Sequence, residues 1–261
     1  MDRVTQNDLA LNFRRLHDPT NPLVLCNVHD AATASVIASL ESARAIATAS
    51  YSVAVAQGVV DDDMTLDQNL ATVRKIAPVA HRAKLPFTVD AQGGYGARLV
   101  ETITALVELG AVGCNLEDLD EATGKVRGVE EAAGRIREAL DVATNLGVPN
   151  FAINARTDIL AEGASIDQAV TRGQAYLAAG SNTVFVWGGP HGRGVSSAEV
   201  RRLAEAFQGR LNVIVKIGEG FLTVNEIRTM RVARISVGPQ LFRKALETFE
   251  LEARKLLDTA A

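Results

Sequence analysis

Leu23-Val-Leu-Cys26, followed directly by Asn27-Val-His-Asp30, decides between the two folds open to this chain. The first four residues are an apolar run of strand length. The next four carry an amide, an imidazole and a carboxylate. A doubly wound open sheet ordinarily places a glycine fingerprint right after its first strand, where the backbone must approach a phosphate. No glycine stands here, so these polar groups read as the rim of a (β/α)8 barrel, where catalytic residues collect at the C-terminal ends of the strands.

Seven more short, β-branched apolar runs follow: Ala45–Thr48, Phe87–Asp90, Val112–Glu117, Phe151–Arg156, Thr183–Trp187, Leu211–Val215 and Arg234–Gly238. They lack apolar/polar alternation, as parallel strands buried on both faces do. Helical spacing fills the intervals, over Asp67–Ala83 after a cap at Thr65, Leu99–Leu109, Val129–Leu146, Ile166–Ala179 after a cap at Ser165, Val200–Phe207 and Val224–Val232. Many of these helices stop at a glycine and run into the next strand. Eight strands with helices between them specify a (β/α)8 TIM barrel. With no linker or low-complexity segment, residues 1–261 form one domain, a usual size for such a barrel.

Composition narrows the function. The chain is 47% hydrophobic and 22% charged with a net charge of -4, which disfavours nucleic acid as a partner. No apolar run reaches the roughly 18 residues of a membrane span, and the N-terminal residues lack the apolar stretch of a signal peptide. Cys26 and Cys114 both fall in expected strands, as buried thiols in a reducing compartment. The expected location is therefore cytoplasmic.

The strand ends supply the chemistry. Asp90-Ala-Gln92-Gly-Gly-Tyr-Gly96 sets a carboxylate and an amide where a strand gives way to a flexible loop. Glu117 ends the next strand, and Asn154, Arg156, Thr157 and Asp158 the one after. Two carboxylates on neighbouring strands can share a divalent cation, and an oxygen-only set without histidine suits Mg²⁺ or Mn²⁺. Asp90, Gln92 and Glu117 are the metal-site candidates. Arg156 can hold a substrate carboxylate in a bidentate fork, or it can form a structural ion pair with Glu117. Asp61-Asp62-Asp63 reads equally as a solvated loop or as the source of one functional carboxylate. His29 reads as a helix-entry residue, His191 and Arg193 as loop residues, and Lys216 as a mouth-facing cation.

Taken in order, these segments resemble the isocitrate lyase / phosphoenolpyruvate mutase superfamily, particularly its short mutase-like branch. The carriers, spread from about Asn21 to Leu246, are Asn27-Val-His-Asp30, Thr48-Ala-Ser-Tyr51, Gln57-Gly-Val-Val-Asp61, Asp90–Gly96, Gly110–Asp118, Ile153–Asp158 and Ser236-Val-Gly-Pro239. The resemblance implies a barrel whose last helix is swapped between subunits of a homodimer or homotetramer, bound Mg²⁺, and a small 2-oxo acid substrate cleaved beside its carbonyl. It implies Asp90 and Glu117 as metal-site carboxylates, Arg156 as the clamp on the substrate carboxylate, and Asp61 as an active-site acid. It also implies that Ala49, Ser50 and Tyr51 hold the oxo-carboxylate end; Asn154 joins them as a binding candidate.

Two departures shape the expectation. Gln92 stands where the superfamily commonly carries Asp or Glu. After Asp118 the chain reads Leu119-Asp-Glu-Ala-Thr-Gly-Lys-Val-Arg-Gly128, without the Cys and His of isocitrate-type lyases or the Lys…Asn-Ser of the phosphonate enzymes; Lys125 is its only lysine. The expected function is a Mg²⁺-dependent lyase, hydrolase or decarboxylase acting on an oxaloacetate-like 2-oxo acid. The alternatives are P–C bond chemistry and a barrel that binds a ligand without catalysis.

Overall fold

A computed structural model describes residues 1–189 and 194–259; His191 and Arg193 lie outside the described residues. The strands are β1 (Leu23–Leu25), β2 (Asn27–Val28), β3 (Ile46–Thr48), β4 (Phe87–Asp90), β5 (Gly113–Glu117), β6 (Leu119–Asp120), β7 (Lys125–Val126), β8 (Ala152–Thr157), β9 (Thr183–Val186), β10 (Leu211–Ile214) and β11 (Arg234–Ser236). The helices are α1 (Arg3–Arg15), α2 (Ala31–Ala38), α3 (Ser50–Ala56), α4 (Leu66–Ala83), α5 (Leu99–Glu108), α6 (Val129–Asn145), α7 (Ile166–Ala178), α8 (Ser197–Ala206), α9 (Val224–Arg228) and α10 (Gln240–Asp258).

The main sheet is parallel throughout and runs β1-β11-β10-β9-β8-β5-β4-β3-β2. Its two end segments are successive pieces of one strand. β1 pairs with β11 on one side, the chain steps over at Cys26, and β2 pairs with β3 on the other. The fold is therefore the expected eight-stranded barrel with its first strand shared between both neighbours. Asn27 closes this seam: its Nδ2 donates to Thr48 O at 2.7 Å, and its Oδ1 accepts from the backbone N–H groups of Val237 and Gly238.

The missing alternation has its expected cause, since β9 and all of β8 except Arg156 are buried. The capping residues Thr65 and Ser165 each accept from the backbone N–H three residues on, with Gln68 and Gln168 returning the bond. The short α2 and α3 and the N-terminal α1 were not legible from spacing. Helix α1 covers the bottom of the barrel, where Phe13 packs at Gly113 and Gln6 Nε2 donates to Val107 O and Ala111 O, both at 2.8 Å. Both cysteines are free, Cys114 buried and Cys26 half-buried. Among the described residues, no helix is long and apolar enough to cross a membrane.

Candidate active site

The stretch after β4 is built on unusual backbone. Gln92, Gly94, Tyr95 and Gly96 all adopt left-handed conformations, with φ of 48°, 80°, 58° and 61°. Such geometry is costly for a residue with a side chain and persists only where surroundings impose it. Here Asn69 of α4 donates to both Asp90 O (2.9 Å) and Tyr95 Oη (2.8 Å), tying the two ends of the loop together. A Cβ on Gly93 would meet Glu121 Oε1 and Leu119 O at 2.6 Å, so the next rim segment lies directly against it. That segment is a small antiparallel hairpin of β6 and β7, where a plain loop was expected. Lys125 sits on it exposed, opposite Asp120.

Asp90 faces the rim between two neighbours. Its backbone N–H donates to Thr48 Oγ1 (2.9 Å), and its Oδ2 accepts from the Ser50 N–H (3.0 Å) at the start of α3. Ala49 and Ser50 are buried beside it. Tyr51, half-buried, lies under Arg243 of α10, whose Cζ is 4.6 Å from the ring centre.

Arg156 is the centre of the charge. It ion-pairs with Glu117 Oε2 at 2.8 Å, the pair that strand register β5–β8 sets opposite each other. Its Nε and Nη2 grip Asp158 Oδ1 and Oδ2 at 2.6 and 2.7 Å. Trp187 lies 4.4 Å from the guanidinium carbon, near enough for a cation–π contact. These contacts occupy three of five N–H groups. Burial alone would lower the Arg156 pKa; the Asp158 and Glu117 carboxylates outweigh it and raise it. Glu117 is raised by burial, against Arg156, and further by Asp158, Asp90 and Asp61.

Asp61 opens a 3₁₀ turn with Asp62 and Asp63; it is half-buried while they are exposed. Burial and then the Asp90 charge push its carboxyl up to about 6. Gln92 Nε2 donates to Asp61 O (2.8 Å) and Asp61 Oδ1 (3.2 Å). Gln92 therefore clasps the Asp61 turn with its amide nitrogen, and its Oε1 is the atom free to face a cation.

Asn154 sits two residues before Arg156 on the same face of β8, one layer deeper in the barrel. Its Nδ2 donates to Asn115 Oδ1 (3.0 Å) and its Oδ1 accepts from Thr183 Oγ1 (2.7 Å). Arg234, 1% exposed, donates to the same Asn115 Oδ1, and burial lowers its guanidinium to about 10. Asn154 thus belongs to the polar layer beneath the site. His29 packs edge-on against Phe242, and Lys216 lies over Phe221 at the mouth. The sequence places Asp158 at a strand end without giving it a role, and Asn69 and Tyr176 carry no strand-end signal because they come from helices.

Among the described residues, no three His, Cys, Asp or Glu side chains stand close enough to ligate one ion directly. Asp61, Asp90, Glu117 and Asp158 nevertheless gather around one arginine, and three of them, Asp61, Glu117 and Asp158, have raised pKa values. Oxygen donors in excess of positive charge fit a hydrated divalent cation of the Mg²⁺ type, held largely through water.

Residues 13–257 match the family model described as phosphoenolpyruvate phosphomutase. The chain belongs to this family of C–C and P–C bond lyases and mutases. It is 34% identical to 2-methylisocitrate lyase of Escherichia coli K12 over 65% of this chain and 57% of that one. It is 35% identical to oxaloacetate decarboxylase of Rhodopseudomonas palustris BisB18 over 48% and 45%. The match thus spans about half the length of these curated relatives. The crystal structure of "a putative phosphonomutase from Burkholderia cenocepacia J2315" superposes with a TM-score of 0.85 at 37% identity, covering 96% of this chain and 99% of the other.

Proposed function

We propose that this enzyme cleaves a C–C bond of a small, oxaloacetate-like 2-oxo acid, in the cytoplasm and with Mg²⁺ or Mn²⁺ as cofactor. The observation that carries this reading is Arg156, fixed at the rim between Glu117, Asp158 and Trp187 with two N–H groups to spare. A planar, permanently charged fork with two free donors is the group that recognises a carboxylate. Similarity to oxaloacetate decarboxylase over part of the chain supports the same substrate class.

Asp90, Glu117 and the Gln92 carbonyl would hold the cation through water. When bound, it supplies stabilisation of charge on the substrate's oxo and carboxylate oxygens. The remaining chemistry belongs to the chain. Arg156 orients one carboxylate, and the first turn of α3, whose Ser50 N–H is taken by Asp90 while those of Tyr51 and Ser52 are unshared, faces the oxo end. The carboxyl of Asp61, raised to about 6, can hold or release a proton at Oδ near neutral pH. That is where an enolate left by bond cleavage must be protonated.

The test is turnover of oxaloacetate with Mg²⁺, without metal, and after chelation. Magnesium-dependent loss of oxaloacetate is expected. If calorimetry detects neither Mg²⁺ nor any 2-oxo dicarboxylate binding, the proposal fails. The likeness to the Burkholderia structure favours P–C bond chemistry as a second reading. Phosphorus NMR with phosphonopyruvate decides it, since an unchanged signal at high enzyme concentration removes that reading.

A further inference from the structure

We infer that Asp118 is a positioning residue for Arg156, held in place by Tyr176 and Arg172 of α7; this rests on reading Arg156 as the substrate-carboxylate clamp. Asp118 follows Glu117 but turns away from the rim, into the layer between barrel and helices, and is 2% exposed. Each of its polar atoms has a partner. Its N–H donates to Arg156 O (3.0 Å) and its carbonyl accepts from Arg127 N (2.8 Å). Oδ1 accepts from the backbone N–H of Asp158 (2.9 Å). Oδ2 accepts from Tyr176 Oη (2.6 Å) and Arg172 Nη1 (3.2 Å). Arg172 Nη1 also donates to Arg127 O (2.9 Å), so its aim is fixed by the backbone.

The consequence lies at the end of β8. The strand stops at Thr157, and Asp158 must turn its carboxylate back to meet Arg156 two residues earlier. Asp118 holds Asp158 by its backbone N–H and Arg156 by its backbone carbonyl. It therefore spans the two residues whose side chains form the fork.

Packing alone does not do this job. A small cavity, with room for about one water molecule, borders Glu117, Asp118, Arg156 and Tyr176. Trp187 covers a face of the guanidinium, and its direction within the plane is set by the bonds to Asp158 and Glu117. A purely structural Asp118–Arg172 ion pair would not require the shortest contact to be with Tyr176 or the other oxygen to bind Asp158 N.

The first readout needs no substrate. The Arg156 Nε–H, gripped by Asp158, gives an exchange-protected nitrogen–proton NMR signal, assigned by its loss in Arg156→Lys. Tyr176→Phe and Asp118→Asn should each speed its exchange about tenfold or more, because the fork opens when its support loosens. The second readout is a double-mutant cycle in the Mg²⁺-loaded enzyme. In a wild-type background, Tyr176→Phe should raise KM for oxaloacetate and Kd for oxalate about fivefold while changing kcat less than twofold. In an Arg156→Lys background it should change neither. Where Asp118→Asn does not fold, Tyr176→Phe, which only removes a hydroxyl, carries the test. Unchanged exchange in folded Tyr176→Phe overturns the inference, as does an equal effect on KM in both backgrounds. Faster exchange with no form binding oxalate upholds the inference and removes the substrate reading instead.

Discussion

Replacing Gln92 by glutamate restores the residue type that the superfamily resemblance leads one to expect at a metal site, yet the structure predicts harm. Gln92 Nε2 donates to Asp61 Oδ1 at 3.2 Å and to Asp61 O at 2.8 Å. A carboxylate there loses both bonds and sets two like charges about 3.2 Å apart, a repulsion of about 5 kcal/mol at an effective dielectric of about 20. Side-chain movement and water entry will relieve more than half of it, leaving about 2 kcal/mol, or about 1.5 pKa units. Asp61 already titrates at about 6, because of burial and Asp90. In Gln92→Glu it should therefore titrate at about 7.5. The raised value disfavours the ionised form, so protonated Asp61 persists to higher pH and the alkaline limb of a rate that needs Asp61 as proton donor moves upward. Carbon-13 NMR of the labelled Asp61 carboxyl reads this without substrate. Gln92→Met, which loses the bonds without adding charge, should move it by less than about 0.5 units. A titration that stays near 6 in folded Gln92→Glu would refute the clasp between Gln92 and Asp61.

Other expectations are independent of that clasp. Arg156→Lys keeps the charge but cannot reach Glu117 and both oxygens of Asp158 together; kcat/KM for oxaloacetate should fall about 100-fold or more, and a loss under tenfold would argue against a clamp. Helix α10 leaves Phe249 74% and Leu256 72% exposed, with Leu246 and Leu257 also open. We expect another copy of the chain to cover this face, forming a homodimer or homotetramer in sedimentation equilibrium, and Phe249→Glu with Leu256→Glu should shift it toward monomer. A wild-type monomer at micromolar concentration would contradict this. His17 is half-buried, with its Nε2 fully covered and its Nδ1 on Phe13 O, and desolvation, with Arg234 nearby, lowers it to about 3. Because it stays neutral when folded but protonates when unfolded near 6.5, it erodes stability as pH falls from 6.5 toward 3, by up to about 5 kcal/mol. Denaturant titrations of His17→Gln should show a shallower acid loss by about 1.4 kcal/mol per pH unit; an unchanged slope would exclude His17 as its source.

The barrel was legible because its signals are local. Apolar runs without alternation marked strands buried on both faces, and glycines after α5, α6, α7 and α8 take the left-handed conformation that stops a helix. Thr65 and Ser165 announced their helices by residue type alone. Helix α1 was not legible, since its purpose is to cover the barrel bottom, and Gln6 gains its meaning only from Val107 O and Ala111 O. The hairpin of β6 and β7 escaped because two-residue strands carry no periodicity.

For the site, the sequence determined which groups stand at the rim: Asp90, Gln92, Glu117 and Arg156 follow or end strands, strand ends are fixed by local pattern, and Asp61 comes after α3 in the connection that leaves β3. Only the tertiary structure decided what each group does there. It sent Asn154 into the polar layer beneath the site, bound Gln92 to Asp61, and gave Arg156 two carboxylate partners. The physical reason is that a hydrogen bond or an ion pair acts over about 3 Å. Residues that meet at such a distance from far apart in the chain, such as Asp118 and Tyr176 on separate layers, share no spacing that a linear chain can display.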